Sequence, residues 1–348
     1  MKKVTMQELA DSLNVSRVTV WKVINNISGV SDNLRDLILN KAKEMGYFKA
    51  GHPIMDEKED ESYSFSSHHR QITVSVVVSR PESSVFWMNI IHQIAKKLDE
   101  SNINLMYTYL PSKFTADYVL PAVLTNGTIH GMIILNVYDY HLFTMLNNLS
   151  IPKVFLDMVT SLTIDSITGD LFLLEGKSTV EEITDFIIQK GRTEIGFIGD
   201  IQYAKTNQNR YEGYVAAMVK NQIGIKKEYC LTKNIGIYTY QEEINEFLSS
   251  LPHMPQAFVC ASDYVAHFLL KYLKEHSYRV PEDIAVSGYD NNTEYPGIAG
   301  NLTTVQVQTK ELGKRLATQL LYRMDVTDSP YEVTYLHPKI IWGKSTDF

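Results

Sequence analysis

The chain has 348 residues, 44% of them hydrophobic and 21% charged. This is an ordinary globular balance, with apolar material for a large core and too much length for one small domain. The net charge of −7 argues against nucleic-acid binding by the whole surface. It leaves room for a local basic module, because only charge near the phosphates matters. Two cysteines, Cys230 and Cys260, are too few for a disulfide framework and fit a reduced, cytoplasmic protein. Lys2-Lys3 is followed by no apolar core, so no signal peptide is expected, and apolar runs such as 132–135 are too short to span a bilayer.

Residues 1–50 carry eight Lys/Arg against five Asp/Glu, a local basic bias that suits a small nucleic-acid reader tied to a more acidic sensor. Thr5-Met6-Gln7-Glu8 has the spacing of a capping box and predicts a helix running to about Leu13. Asn14 tolerates the left-handed backbone of a tight turn. Ser16 is a good N-cap for a second helix from Arg17 to about Asn25. Leu9, Ala10, Leu13, Val15, Val20, Val23 and Ile24 can close between these two helices. Gly29 breaks the chain, and Ser31 caps a third helix with Leu34, Leu37, Ile38, Lys41, Ala42 and Met45 on one stripe. Three short helices of this kind form a helix-turn-helix plan. The second helix leaves Arg17, Val18, Thr19, Trp21, Lys22 and Asn25 without apolar duty. Arg and Lys can bond guanine O6/N7, and Val18 can touch a thymine methyl. Ser16, Thr19 and Asn25 suit phosphate oxygens. On geometry alone, a helical module that binds protein remains open.

The stretch from Val4 to Asn25, the step Gly29-Val30-Ser31 and the ending Ala42-Lys43-Glu44-Met45-Gly46-Tyr47 resemble the headpiece of the LacI/GalR family, without a gap over the first 48 residues. The resemblance implies that Arg17, Val18 and Lys22 read bases, and that Thr5, Ser16, Thr19, Asn25, Ser31 and Tyr47 hold the DNA backbone. Trp21 departs from it, standing where the family usually has serine. An indole N–H can donate there, or its bulk can pack on the first helix.

Residues 49–71 are polar and acidic in the middle (Asp56-Glu57, Glu59-Asp60-Glu61), which predicts a mobile linker. The family usually places a hinge helix here whose leucine wedges into the minor groove. No such segment is visible, so that wedge is expected to be missing or replaced. His68-His69 reads as a solvent-exposed pair rather than a metal site.

From Ile72 apolar strands alternate with amphipathic helices. Strands are expected at 72–78, 104–109, 131–135 and 153–156, with helices at 86–98, 116–124 and 141–149. A second set follows, with strands at 194–198, 257–260 and 284–287. Its helices are expected at 178–189, 210–220, 241–248 and 264–276, and a last long helix at 310–324. Such alternation means βαβ units, here α/β in two parallel-sheet lobes with a cleft between them. The expected division is a headpiece at 1–48, the atypical linker at 49–71, and a sensor and dimerisation domain at 72–348. Its first lobe is about 72–160 plus 305–325, and its second about 161–291 plus 326–348. Asn209-Arg210-Tyr211-Glu212-Gly213-Tyr214, the run from Val280 to Asn291, and Leu302-Thr303-Thr304-Val305 are similar to LacI/GalR sensor segments. The resemblance implies a periplasmic-binding-protein-like sensor.

A polyol cleft needs bidentate charged or amide groups and a stacking aromatic. The resemblance puts Arg210 and Asp263 at the family's key ligand pair and matches Phe86-Trp87 to its aromatic pair. Asn136 and Asp157 end first-lobe strands and should point at the cleft. Asp290 reads as a residue of the fold. Leu174-Glu175 stands near where many relatives carry Asp-Asn, and Val307 where several carry Gln, which predicts a less polar pocket and an effector other than a simple hexose.

No nucleophile elbow, zinc-protease helix or phosphate-binding loop is present, so no catalytic residue, metal or cofactor is expected. The expected partners are a palindromic double-stranded operator, a sugar-like effector and a second copy of the chain, with no membrane. Two other classes stay open. One is a regulator answering to a protein partner or a non-sugar metabolite, and the other is a sugar-modifying enzyme with a DNA-binding appendage.

Overall fold

The computed structural model describes residues 4–24, 30–47, 72–79, 84–236, 238–295 and 297–348. The expectations for Asn25, Gly29, the 49–71 linker and His68-His69 lie outside these residues. The chain divides into two compact units, one holding the N-terminal helices and the other most of the chain from Thr73 onward.

The N-terminal unit has helices α1 (Met6–Ser12), α2 (Arg17–Ile24) and α3 (Asp32–Glu44). The capping box forms: the Glu8 amide donates to Thr5 Oγ1 at 3.2 Å, and the Thr5 amide donates to Glu8 Oε2 at 2.8 Å. Asn14 takes the left-handed turn at φ 51°, and the Ser16 hydroxyl oxygen accepts from the Thr19 amide at 3.0 Å. Leu9, Ala10, Val20, Ile38 and Ala42 are fully buried, and Leu13, Val15, Ile24, Leu34 and Met45 pack around them. Two expectations need correction. Ser31 occupies the N-cap of α3, but its side chain makes no capping bond. Leu37 is 53% exposed, because the buried stripe of α3 follows Leu34, Ile38, Ala42 and Met45 and turns Leu37 outward.

The larger unit alternates strand and helix. Its first sheet uses β1 (Thr73–Val78), β2 (Asn104–Tyr109), β3 (Gly131–Leu135), β4 (Lys153–Leu156) and β5 (Asp170–Leu174), with α4 (Val85–Asp99) and α5 (Tyr140–Asn147) between strands. After α6 (Lys177–Gln189), a second sheet is built from β6 (Ile195–Ile198), β7 (Cys230–Leu231), β8 (Ala257–Cys260) and β9 (Ala285–Ser287). Helices α7 (Lys205–Lys220), α8 (Tyr240–Ser249) and α9 (Asp263–Glu275) connect its strands. The chain ends with β10 (Thr304–Gln306), α10 (Thr309–Asp325), β11 (Val333–Leu336) and β12 (Lys339–Ile341). The sheet orders are β11-β5-β4-β3-β1-β2 and β7-β6-β8-β9, with β10 and β12 forming an antiparallel pair. β1/β3, β3/β4, β4/β5 and β5/β11 are parallel, as are the pairs of the second sheet.

The sheets redraw the expected lobes. β5 and β11 were expected in the second lobe but pair with each other in the first sheet at Phe172↔Thr334. The chain therefore passes between lobes three times, after β5, between β10 and α10, and between β11 and β12. A buried ion pair fixes the first-lobe end of this path. The Arg323 guanidinium clasps Asp170 at 2.6 and 3.1 Å and also bonds the carbonyls of Ser329 and Pro330. The helix expected over 116–124 shrinks to one 3-10 turn at Ala122–Leu124, because Pro121 lacks an amide hydrogen and clashes with a helical carbonyl four residues back. Close helix contacts rest on two glycines. A Cβ on Gly213 would come within 3.0 Å of the Lys177 carbonyl, and one on Gly313 within 3.0 Å of the Ile90 carbonyl.

Candidate functional site

Two surfaces could carry function, one in each unit. On α2, the Val20 and Val23 side chains face the core, which turns Arg17 and Val18 outward. Arg17 is exposed and Val18 is 39% exposed, while Thr19, Trp21 and Lys22 are half-buried. The Ser16 and Thr19 hydroxyls lie 2.8 Å apart, so both hydroxyls already serve the start of the helix. Thr5 likewise belongs to the capping box of α1. Tyr47 packs its ring against the headpiece core, its amide donates to the Ala42 carbonyl at 2.9 Å, and burial pushes its phenol up, with the nearby Arg17 charge opposing. The arrangement can present a cation and an aliphatic side chain together from one exposed helix face, the chemistry of major-groove reading.

The second surface is a cleft of about 440 Å³ between the two lobes of the larger unit. Five of the six residues expected to hold a ligand line it: Phe86, Trp87, Asn136, Asp157 and Arg210. Phe86 and Trp87 open α4 with rings edge to face at 5.2 Å. Asn136 and Asp157 follow β3 and β4 in left-handed turns, at φ 55° and 68°, which is how a strand end aims a short polar side chain into a crevice.

These residues do different work. Asp157 is committed to protein. It accepts from the amides of Met158 and Thr206 at 2.8 and 3.2 Å, from the Tyr138 hydroxyl at 3.0 Å, and from the Thr206 hydroxyl. Burial nevertheless pushes its carboxyl above the usual range. Its partner Thr206 starts α7 in the second lobe, so Asp157 clasps the lobes together. Arg210 sits well inside α7, not at its start as the expected 210–220 boundary had it. Its guanidinium stacks on the Tyr289 ring at 3.5 Å, donates to the Ala261 carbonyl at 2.6 Å and lies 3.5 Å from Asp290. Arg210 Nε and Asn136 Nδ2 are both buried and find no protein acceptor.

Asp263 is a correction. It is completely buried and does not line the cleft. Its carboxylate accepts from the Thr304 hydroxyl and the Asn292 amide, each at 2.7 Å, and so braces the segment that carries Asp290. Burial first, and then the Asp290 charge, push its carboxyl up to about 7. Asp290, read from sequence as a residue of the fold, is a lining residue. Of the expected departures, Leu174 lines the cleft, whereas Glu175 caps the start of α6 by accepting from the Ser178 amide at 2.7 Å.

Sequence reasoning missed most of the aromatic wall. Tyr138, Tyr203, Tyr238, Tyr240, Tyr264 and Tyr295 all line the cleft. Tyr138 and Tyr203 meet edge to face at 4.8 Å. The available signal was the 21 tyrosines, several of them close after strands or near helix starts. At the mouth, the Val85 amide at the start of α4 donates to Glu294 Oε2 at 3.1 Å, and the Asn292 amide group reaches Ser84 Oγ at 3.5 Å. Among the described residues there is no cluster of metal-ligating side chains and no helix long and apolar enough to cross a membrane.

The family model described as "Bacterial regulatory proteins, lacI family" matches residues 5–49, and that of a periplasmic binding protein-like domain matches residues 184–346. The chain is 26% identical over 326 residues to the probable HTH-type transcriptional repressor ExuR of Bacillus subtilis, with 91% of each chain covered. It is 26% identical over 345 residues to the HTH-type transcriptional regulator RegA of Clostridium saccharobutylicum, covering 94% of this chain and 95% of that one. Among solved structures, the transcriptional regulator CelR–cellobiose complex aligns with a TM-score of 0.68 at 20% identity, covering 99% of this chain and 100% of that one. A lac repressor dimer bound to operator and an anti-inducer aligns at 0.66 with 18% identity and 99% coverage of both. Identities this low show the fold.

Proposed function

We propose, on the premise that the chain is a transcriptional regulator of the LacI family, that it is a repressor of carbohydrate-related genes. In this reading residues 1–48 read one half of a palindromic operator, and the larger domain senses a neutral sugar or sugar derivative. Arg17, Val18 and Lys22 read bases, and Thr5, Ser16, Thr19, Trp21, Ser31 and Tyr47, with Asn25, hold the DNA backbone, the hydroxyls already engaged at helix starts using their remaining hydrogen-bonding capacity. One headpiece spans one half-site, so the working form is a homodimer. An effector between the lobes favours one closure angle and thereby changes how the two headpieces meet the operator. The protein works in the cytoplasm, where its operator is.

The observation that carries the effector reading is the cleft of about 440 Å³ between the lobes, walled by aromatic rings and lined by Asn136, Asp290 and Arg210. Stacking rings beside a few fixed polar groups suit the faces and hydroxyls of a sugar. Charge supports a neutral molecule. Among the described lining residues Arg210 is the sole cation, against Asp157, Asp200, Asp290 and Glu294. A phosphate or carboxylate on the effector would meet that excess.

Two measurements test the reading. A randomised-site selection with the full-length protein should return a palindrome, and recovery of no preferred duplex overturns the DNA assignment. Thermal shift of the same protein against neutral sugars, uronates and sugar phosphates should show stabilisation by neutral sugars. Stabilisation by sugar phosphates alone overturns the effector class.

A further inference from the structure

The two lobes of the sensor meet through contacts of different kinds. Where the loops after β4 and β6 touch, the contact is buried: Asp157 accepts from the Thr206 amide and hydroxyl, and the Lys205 amide donates to the Met158 carbonyl at 2.9 Å. At the mouth of the cleft the contact is open to water. Glu294 is exposed on the loop after β9, and its Oε2 accepts from the Val85 amide of α4, in the first lobe, at 3.1 Å. The fifteen-residue α4 has no acidic residue in its first turn. Ser84 Oγ takes the Phe86 amide at 3.2 Å, which leaves the Val85 amide and the positive end of the helix to a carboxylate from the other lobe. The loop that carries Glu294 has a buried footing. The Glu294 amide donates to Asn292 Oδ1 at 3.1 Å, and the Asn292 amide donates to the fully buried Asp263 at 2.7 Å.

We propose that Glu294 is a latch: a second-lobe carboxylate that holds the mouth of the cleft closed by completing the N-terminus of α4 in the first lobe. Both partners belong to the chain, so the bias toward closure is present whatever the effector. It sets the population that an effector then shifts. An exposed carboxylate on a helix N-terminus shifts such an equilibrium by about two- to fivefold, enough to tune closure without locking it. Trp87 stands two residues beyond Val85 and lines the cleft, so release of the latch uncovers its indole. No sugar takes part in the latch, and the sugar reading can fail without it.

The test is acrylamide quenching of Trp87 fluorescence in the full-length protein, with the other two tryptophans, Trp21 and Trp342, replaced by phenylalanine. Glu294→Ala removes the acceptor. Val85→Pro removes the donor and keeps the helix start, because proline suits the first helical position and Ser84 already has the extended backbone, φ −63° and ψ 131°, that precedes a proline. Glu294 is exposed and Val85 is 49% exposed, so neither change disturbs the core. Each is expected to raise the quenching constant about twofold, and the two together to raise it no further. High salt is expected to raise the constant of the background protein and to leave that of the double variant unchanged. A rise with only one of the two substitutions overturns the latch, and Glu294→Ala alone would mark a carboxylate that merely steadies the helix start. No change with either, or a double variant whose effect is the sum of the two, overturns it as well.

Discussion

Asn136 is held in a left-handed turn and ends in an unpaired buried amide, so one substitution separates its two duties. Asn136→Gly keeps the backbone conformation and removes the donor. Effector affinity should fall about tenfold with little change in the denaturation midpoint, and calorimetry beside a chemical melt reads both. On α2, Arg17→Ala or Lys22→Ala should relax base preference at one or two operator positions by roughly 1–3 kcal/mol each, read by repeating the site selection with each variant. Asp263 gives a pH signature. Its folded-state value of about 7 lies above the ordinary 3.8, so across that window the folded protein holds a proton that the unfolded chain has released. The contribution is full below about pH 4 and is lost as pH rises through 7. Stability of Asp263→Asn should therefore fall less steeply than that of the native protein over that range, and parallel slopes in urea melts would count against the assignment. The residue scale is also where the sequence was least legible. A carboxylate at the family's ligand position gave no warning that it would lie beneath the cleft. That depends on Thr304 and Asn292, roughly thirty to forty residues away in the chain, reaching it first.

At the scale of elements, legibility followed periodicity. The strands 104–109, 131–135, 153–156 and 257–260 fall where the apolar runs predict, and the helices shift by a residue or two at most ends. The exceptions have local causes. Pro121 removed a helix, and α7 begins at Lys205 because its first turn is polar and carries no apolar stripe to mark it. β5 was overlooked although Asp170–Leu174 is an apolar run of the same fully buried kind as β3 and β4. β11 and β12 are short and half exposed, and pairing across the chain decides them rather than their own pattern. The interlobe pairing that builds the site is nonlocal in the same way. Packing between helices is set by small residues. Gly313→Ala places a methyl against the Ile90 carbonyl where α4 meets α10, and it should destabilise the fold by about 1–3 kcal/mol, measured as a lowered urea midpoint. Thr5→Ala removes the capping box and should cost α1 about 1 kcal/mol, seen as lost helicity and weaker operator binding together.

At the scale of the whole molecule, the regulator reading predicts that one protein dimer binds one palindrome. Sedimentation of the protein with an operator duplex should give two chains per duplex, and removing one half-site should weaken binding sharply. Affinity should also fall steeply with salt as phosphate contacts release counterions. The three passages of the chain between lobes carry a consequence of another kind. Strand β11 closes an edge of the first sheet, β12 pairs with β10 in the second lobe, and the Ser345 hydroxyl donates to the Val286 carbonyl of β9. Both halves of the sensor thus wait for the same stretch of polypeptide, residues 333–345. During synthesis neither can finish folding while residues beyond 333 are still inside the ribosome, and a stop codon at that point would deprive both of these strands at once.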